Sequence, residues 1–377
     1  MKTISFPLLL AMLITVCSSA NAAEPLRFFV GTYTSQDGSR GIYTGQFDAE
    51  RGTLSELTLA AECNNPAFLI THPSKPYLFA ISETQNGLLL SFQYDKESGQ
   101  LMLLDSQSVP GAAPCHLAFC SSGKDDAGVV VIANYSSGSV VSFPVSADGK
   151  IGEVVSDIAH TGSGPNTSRQ RAPHAHGIYF DGTTVAVPDL GIDQVVYYTI
   201  DLATARLSQS DAHANLRVTP GAGPRHLAIS KDKRFVYVVN ELDSTVSVFD
   251  RQETNNPELI QTISTLTDGK DAAVLKNTTA EIELHPNGKF LYVSNRGDDS
   301  IAVFAVENAK LTLLQNVPSG GKTPRFFCLD PTGRFLLACN QNTGTICVFM
   351  VDQVTGKLTS TNQGIDVSRP VCLVFVR

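Results

Sequence analysis

The 377 residues read as an all-β chain folded into a seven-bladed β-propeller, one blade being closed by strands from the two termini. Three observations predict this. A unit of about fifty residues recurs, a period that short strands build into propellers. Four copies end on nearly one phrase, closing at Phe143, Phe249, Phe304 and Phe349, and in each an Asn (Asn134, Asn240, Asn295, Asn340) stands nine residues before the Phe. Finally, seven segments open a unit, at Pro66, Pro114, Pro173, Pro224, Ala280 with Glu281, Pro324 and Pro370.

The elements follow in chain order. Residues 1–22 read as a signal peptide: Lys2 is a basic start, Phe6 to Val16 an apolar run too short to span a bilayer, and Ala20, Asn21 and Ala22 a small-x-small cleavage pattern. Processing near Ala22 or Ala23 would leave 23–377 as a single propeller domain in the periplasm or outside the cell. The segment from Leu26 to Tyr33 is an orphan strand, and Val371 to Val376 has no following partner; pairing the two closes the seventh blade and leaves no open edge. Each unit between them has four strands. A Pro-led innermost strand is followed by a turn such as His285 to Lys289, an apolar second strand, an alternating third strand ending on the Phe, and a fourth after a polar turn. His72 and His285 belong to these turns and read as structural.

Composition narrows the class. Hydrophobic residues make up 42% and charged residues 17%, which describes a packed, turn-rich globule. The net charge of −8 and the absence of a Lys/Arg cluster argue against nucleic acid. Seven Cys beyond Cys17, irregularly spaced, do not form a disulfide framework, and no paired Cys or His spacing suggests zinc; neither metal nor cofactor is expected. A monomer without membrane association after processing is the corresponding expectation.

Superposing the units locates the chemistry. The residue after each opening Pro falls near one mouth of the central channel: Ala67, Cys115, His174, Arg225, Glu281, Arg325 and Val371. A second ring follows the second strand: Tyr33, Glu83, Tyr135, Asp189, Glu241, Arg296 and Gln341. Arg225, Arg296 and Arg325 thereby converge on one axis, where an anionic ligand or internal carboxylates such as Glu241 and Glu281 must offset them. His174 and His176 are the acid/base candidates, on one face if the segment is a regular strand. Cys115 and His116, as strand neighbours, should face opposite ways. The Gly-rich stretch from His160 to Ala172, with Arg169 and Arg171, is a long loop placed to form a rim.

The segments 164–176, 220–228, 239–249, 294–304 and 323–326 together resemble the seven-bladed lactonase family, which includes propeller-type 6-phosphogluconolactonases and fungal 3-carboxy-cis,cis-muconate lactonising enzymes. The resemblance covers 27–377. It implies a metal-free site that opens or forms a lactone, built from His174 (His176 being the second choice), Arg225, Glu241 and Arg296. His176, Arg325, Arg171, Glu281, Tyr135 and Asp189 are the expected substrate-binding residues. Hydrolysis of a sugar-type lactone, such as 6-phosphoglucono-1,5-lactone or a related aldonolactone, is the first expectation. A muconate-type cyclase and a secreted, non-catalytic propeller that binds carbohydrate or protein are the alternatives.

Overall fold

The computed structural model describes residues 24–123 and 126–376, so the leader reading for 1–22 lies outside the described residues. Seven antiparallel sheets of four or five strands stand around a central axis, and neighbouring blades touch through their innermost strands. In chain order the first six blades span 66–108, 114–159, 175–217, 224–264, 278–318 and 324–366. In the closing blade the C-terminal strand Pro370–Phe375 is innermost and pairs antiparallel with Leu26–Thr32, in the register Phe28↔Phe375 and Val30↔Leu373. Gly41–Asp48 lies outside that pair, followed by the short strands Thr53–Leu54 and Thr58–Glu62. Among the described residues the single helix is Ala272–Leu275, capped by Asp271.

Both faces of the inner strands are covered, which is why their sequences are nearly continuous apolar runs rather than clean alternations. Seven apolar clusters among the described residues each lie between two adjacent blades. Val129 and Val131 of blade two meet Val185 and Val187 of blade three, and Phe47 of the closing blade meets Phe335 of blade six.

The repeated Asn has a physical reason. Asn134, Asn240, Asn295 and Asn340 are all fully buried, and each side-chain amide bonds the hydroxyl five residues on: Ser139, Thr245, Ser300 and Thr345, at 2.8–3.3 Å. The amide therefore clamps the tight turn between the second and third strands. His72 and His285 hold turns as expected; their Nδ1 atoms accept from the backbone of Lys75 and Asn287, and their Nε2 atoms reach the carbonyls of Asp126 and Gly333.

A second recurring device aims side chains into the channel. In blades one, two, four and six the innermost strand carries a β-bulge opposite the end of the second strand, between Pro66 and Phe68, Pro114 and His116, Pro224 and His226, and Pro324 and Phe326. The bulged residues are Ala67, Cys115, Arg225 and Arg325, and Val371 sits between Pro370 and Cys372 in the same way. A bulge breaks the period of two and redirects a side chain. It also overturns the expected opposition of Cys115 and His116: the Cys115 sulfur lies 3.8 Å from His176 Nδ1, and the His116 ring lies 5.2 Å from that of His226 on the same axis.

Two units depart from the sequence superposition. In blade three, Ala175 rather than Pro173 pairs across to Asp189, and the innermost strand proper is only Tyr179–Asp181. His174 and His176 thus lie in an extended lead-in rather than in a strand. Asp189 pairs as the shared Asn does elsewhere, so Leu190 follows it in the second ring and His176 takes the inward position assigned to His174. The cause is local: Asp189 Oδ1 accepts from His174 N and Gly191 N, a carboxylate doing the turn-clamping of the Asn amide. In blade five, Thr279 pairs with Asn295 and Ile282 with Val293, so Ala280 stands where Arg225 does and Glu281 where His226 does.

Candidate active site

One mouth of the channel is a cavity of about 340 Å³ lined by Tyr33, Glu83, Tyr135, Arg169, His176, Glu241, Thr278, Arg296 and Arg325. Five of these follow the second strands of five blades, so the lining is the repeat's own register made polar. Glu241 is the hub. Its Oε1 accepts from Arg169 Nη2 at 2.6 Å, and its Oε2 lies 2.9 Å from Arg296 Nη2 and 3.2 Å from Arg225 Nε. Burial alone would raise the Glu241 carboxyl, but Arg296, Arg225 and Arg169 outweigh it and hold it at about 2.

The arginines are fixed from below. Arg225 donates to the carbonyl of Ala280 at 2.8 Å and lies against the His226 ring, whose Nδ1 is 3.0 Å from Glu281. Arg296 donates to the Thr279 carbonyl at 2.7 Å. Burial, with repulsion from Arg225 and Arg325, lowers the Arg296 guanidinium to about 10 against the pull of Glu241, so it stays charged near neutrality. Arg325 lies 5.3 Å over the Tyr33 ring, and Tyr33 donates to Glu83 at 2.6 Å. Burial disfavours the Arg325 charge, yet Tyr33, Glu83 and Glu241 shift it upward overall. Arg169, Arg296 and Arg325 therefore line the cavity, with Arg225 buried beneath it, against Glu83 and Glu241, inside a protein that is acidic as a whole.

His176 is the neutral group on the wall. Burial, reinforced by Arg225, His226 and Arg325, pushes its imidazole well below the usual range. Its Nδ1 faces the Cys115 sulfur, and no hydrogen bond to its Nε2 forms among the described residues. His174 is placed elsewhere: its ring stacks on Tyr135 at 4.5 Å and its Nδ1 is 2.8 Å from the Tyr135 carbonyl. Burial raises the Cys115 thiol, which argues against a thiolate nucleophile.

The expected residues thus divide. Glu241, Arg296, Arg325, His176 and Tyr135 come together at the cavity, and Arg225 lies just beneath it, paired to Glu241. Arg171 does not; its Nε turns back to the Thr167 carbonyl and the side chain is exposed, while Arg169 of the same loop enters the site and also bonds the Tyr135 hydroxyl at 3.0 Å. Glu281 belongs to the layer below, with His226, and Asp189 is buried under the rim loop. Tyr33 and Glu83 were legible in the second ring. Arg169 and Thr278 carry no register signal, because they come from a loop and from a strand's first residue. Among the described residues no cluster of His, Cys, Asp and Glu has the arrangement of a metal site.

Comparison with known proteins agrees with the geometry. The family described as "Lactonase, 7-bladed beta-propeller" matches residues 27–375. A 6-phosphogluconolactonase of Bacillus subtilis is 38% identical over 354 residues, covering 92% of this chain and 97% of its own. One from Formosa agariphila is 32% identical over 350 residues, covering 90% and 96%. The solved periplasmic gluconolactonase of Pseudomonas aeruginosa superposes with a TM-score of 0.85 at 31% identity, over 94% of this chain and 99% of its own. The chain belongs to the seven-bladed β-propeller lactonase family.

Proposed function

We propose that the protein hydrolyses a sugar-type lactone to the open acid, without a metal or cofactor, on a small anionic or polyhydroxylated substrate of the aldonolactone class. The convergence of Arg169, Arg296 and Arg325 on one cavity, with Glu241 kept ionised among them and Arg225 paired to it from beneath, carries this reading. At about 340 Å³ the cavity lies at the small end of ligand sites and has room for one sugar ring with water.

In the reaction a water oxygen bonds to the lactone carbonyl carbon, the ring C–O bond breaks, and the water's proton ends on the departing ring oxygen. Arg296 and Arg325, which line the cavity, would stabilise the oxyanion that develops on the carbonyl as preorganised donors, with Arg225 adding its charge from beneath. Glu241 acts as the clamp that holds three guanidinium groups in place. His176 would receive the proton and return it to the ring oxygen. The charge growing on the oxyanion offsets Arg225 and Arg325, and so lifts the proton affinity of His176 when the proton must move.

An extracytoplasmic location belongs to the same proposal. It rests on the leader-like pattern of 1–22 and is in keeping with the periplasmic relative; it favours an unphosphorylated lactone over its 6-phosphate. The test is proton release by the purified protein with glucono-1,5-lactone and, separately, its 6-phosphate. Turnover above the spontaneous rate is expected, with Arg296→Ala slower by about 10²- to 10³-fold. No enhancement on either lactone would sink the reading.

A further inference from the structure

A second cavity, of about 350 Å³, lies away from the channel between the outer strands of blades two and three. It exists because the fourth strand of blade three is split. Arg206–Gln209 pairs with the third strand up to Tyr198, and Leu216–Arg217 resumes pairing only at Val195. Ser210 still donates to the Tyr197 carbonyl at 3.0 Å, residues 211–215 then step aside, and Asn215 Oδ1 caps the backbone N–H of Tyr197 at 3.1 Å.

The notch is lined by His160, Gln194, Gln209, Asn215, Tyr198 and Ile192, among others. One lining residue, His160, belongs to a buried pair. His160 Nδ1 is 2.7 Å from Asp189 Oδ2, the His160 side chain is 3% exposed and Asp189 is fully buried. His160 Nε2 is buried and has no hydrogen-bond partner. A buried ring nitrogen left in this state costs free energy, unless a ligand completes it.

The chemistry around it selects the ligand. The lining has no Arg or Lys, so an anion such as the lactone of the main site has no counter-charge here. The Gln194 carbonyl is oriented by Asn215 Nδ2 at 3.4 Å, which leaves the Gln194 amide nitrogen and the whole Gln209 amide open. Tyr198 and Ile192 provide apolar surface beside these donors and acceptors. We infer that this notch is a binding site for a neutral monosaccharide, a pyranose whose hydroxyl completes His160 Nε2 while others pair with Gln194 and Gln209. This assignment stands independently of the proposed lactonase activity.

Calorimetry and saturation-transfer NMR on the full chain with D-glucose, D-galactose, D-mannose and D-xylose test it. At least one should bind with Kd of about 1 mM, an affinity ordinary for a single small ligand held by a few hydrogen bonds. His160→Ala and Gln209→Trp should each weaken binding at least about tenfold, and Arg296→Ala should leave it unchanged. Gln209 is exposed, so its variant keeps the test valid if His160→Ala misfolds. Binding that survives both notch variants, or that disappears in Arg296→Ala, overturns the assignment, as does the absence of binding by all four sugars.

Discussion

Glu241 accepts from Arg169 and lies within ion-pair distance of Arg225 and Arg296, and that crowding sets its role. A carboxyl held at about 2 is a poor proton acceptor, so its value is geometric. Glu241→Gln is expected to lower kcat/KM by about 10²-fold while leaving the position of the acid limb of the pH–rate profile unchanged above pH 4. An acid limb that moves with this substitution would instead make Glu241 the titrating base. The two histidines separate in the same way. His176 faces the cavity with a free Nε2, whereas His174 stacks on Tyr135 outside the lining. His176→Gln should cost about 10²-fold in kcat, and His174→Gln less than about tenfold. The reverse order in steady-state kinetics would return the role to His174.

The bulge is the element that turns scaffold into site. Without it, period-two alternation would send the residue after the opening Pro into an inter-blade layer; with it, Arg225 and Arg325 reach the axis. The Asn clamp is the complementary element, holding the turn from which Tyr135, Glu241 and Arg296 project. Asn295 is the most connected copy, bonded to Thr265, Asn277 and Ser300. Asn295→Ala leaves several buried groups unpaired and should destabilise the fold by about 2 kcal/mol, read as a lowered denaturation midpoint. Because Arg296 is the next residue, activity should fall even where folding is retained. Full activity together with an unchanged midpoint would show the clamp to be dispensable.

At the scale of the whole molecule, ring closure rests on the pairing of Leu26–Thr32 with Pro370–Phe375. Deleting 370–377 exposes the edge of Leu26–Thr32 and uncovers the clusters on both sides, and it should abolish the cooperative melt seen by circular dichroism. A native melting profile after that deletion would refute closure as a stability device. A second global signal comes from Glu283, which lines a cavity with Ile70, Phe119, Cys328 and Leu373 of the innermost strands. Burial raises Glu283 from its ordinary 4.5 to about 8. The folded state then binds a proton that the unfolded chain has released, so stability falls as pH rises from about 4.5 to about 8. Glu281, raised to about 7 by burial, acts in the same direction. Glu283→Gln imitates the protonated form. It should raise the melting midpoint by about 3 °C at pH 8 and change it little at pH 4.5; an equal effect at both values would rule out this linkage.

Repetition made most of this molecule readable in one dimension. The Asn-to-Phe offset, the opening Pro and the unpaired terminal strands are local patterns, and they determine blade number, strand order and closure because every blade must cover both faces against its neighbours. The same register exposes Arg225, Glu241, Arg296 and Arg325, since a variable polar residue inside an apolar repeat stands out. Three things were decided only in the folded chain. The bulge is set by pairing across strands, and it moves two consecutive side chains toward one axis. The slip in blade three depends on Asp189 replacing the shared Asn, which exchanges His174 for His176. Arg169 enters the site from an irregular loop, where Asn166 side-chain bonds and the pull of Glu241, rather than any periodicity, determine which of two nearby arginines points inward. Periodic burial leaves its trace in sequence; the meeting of distant charges does not, because its energy depends on distances that only the tertiary structure sets.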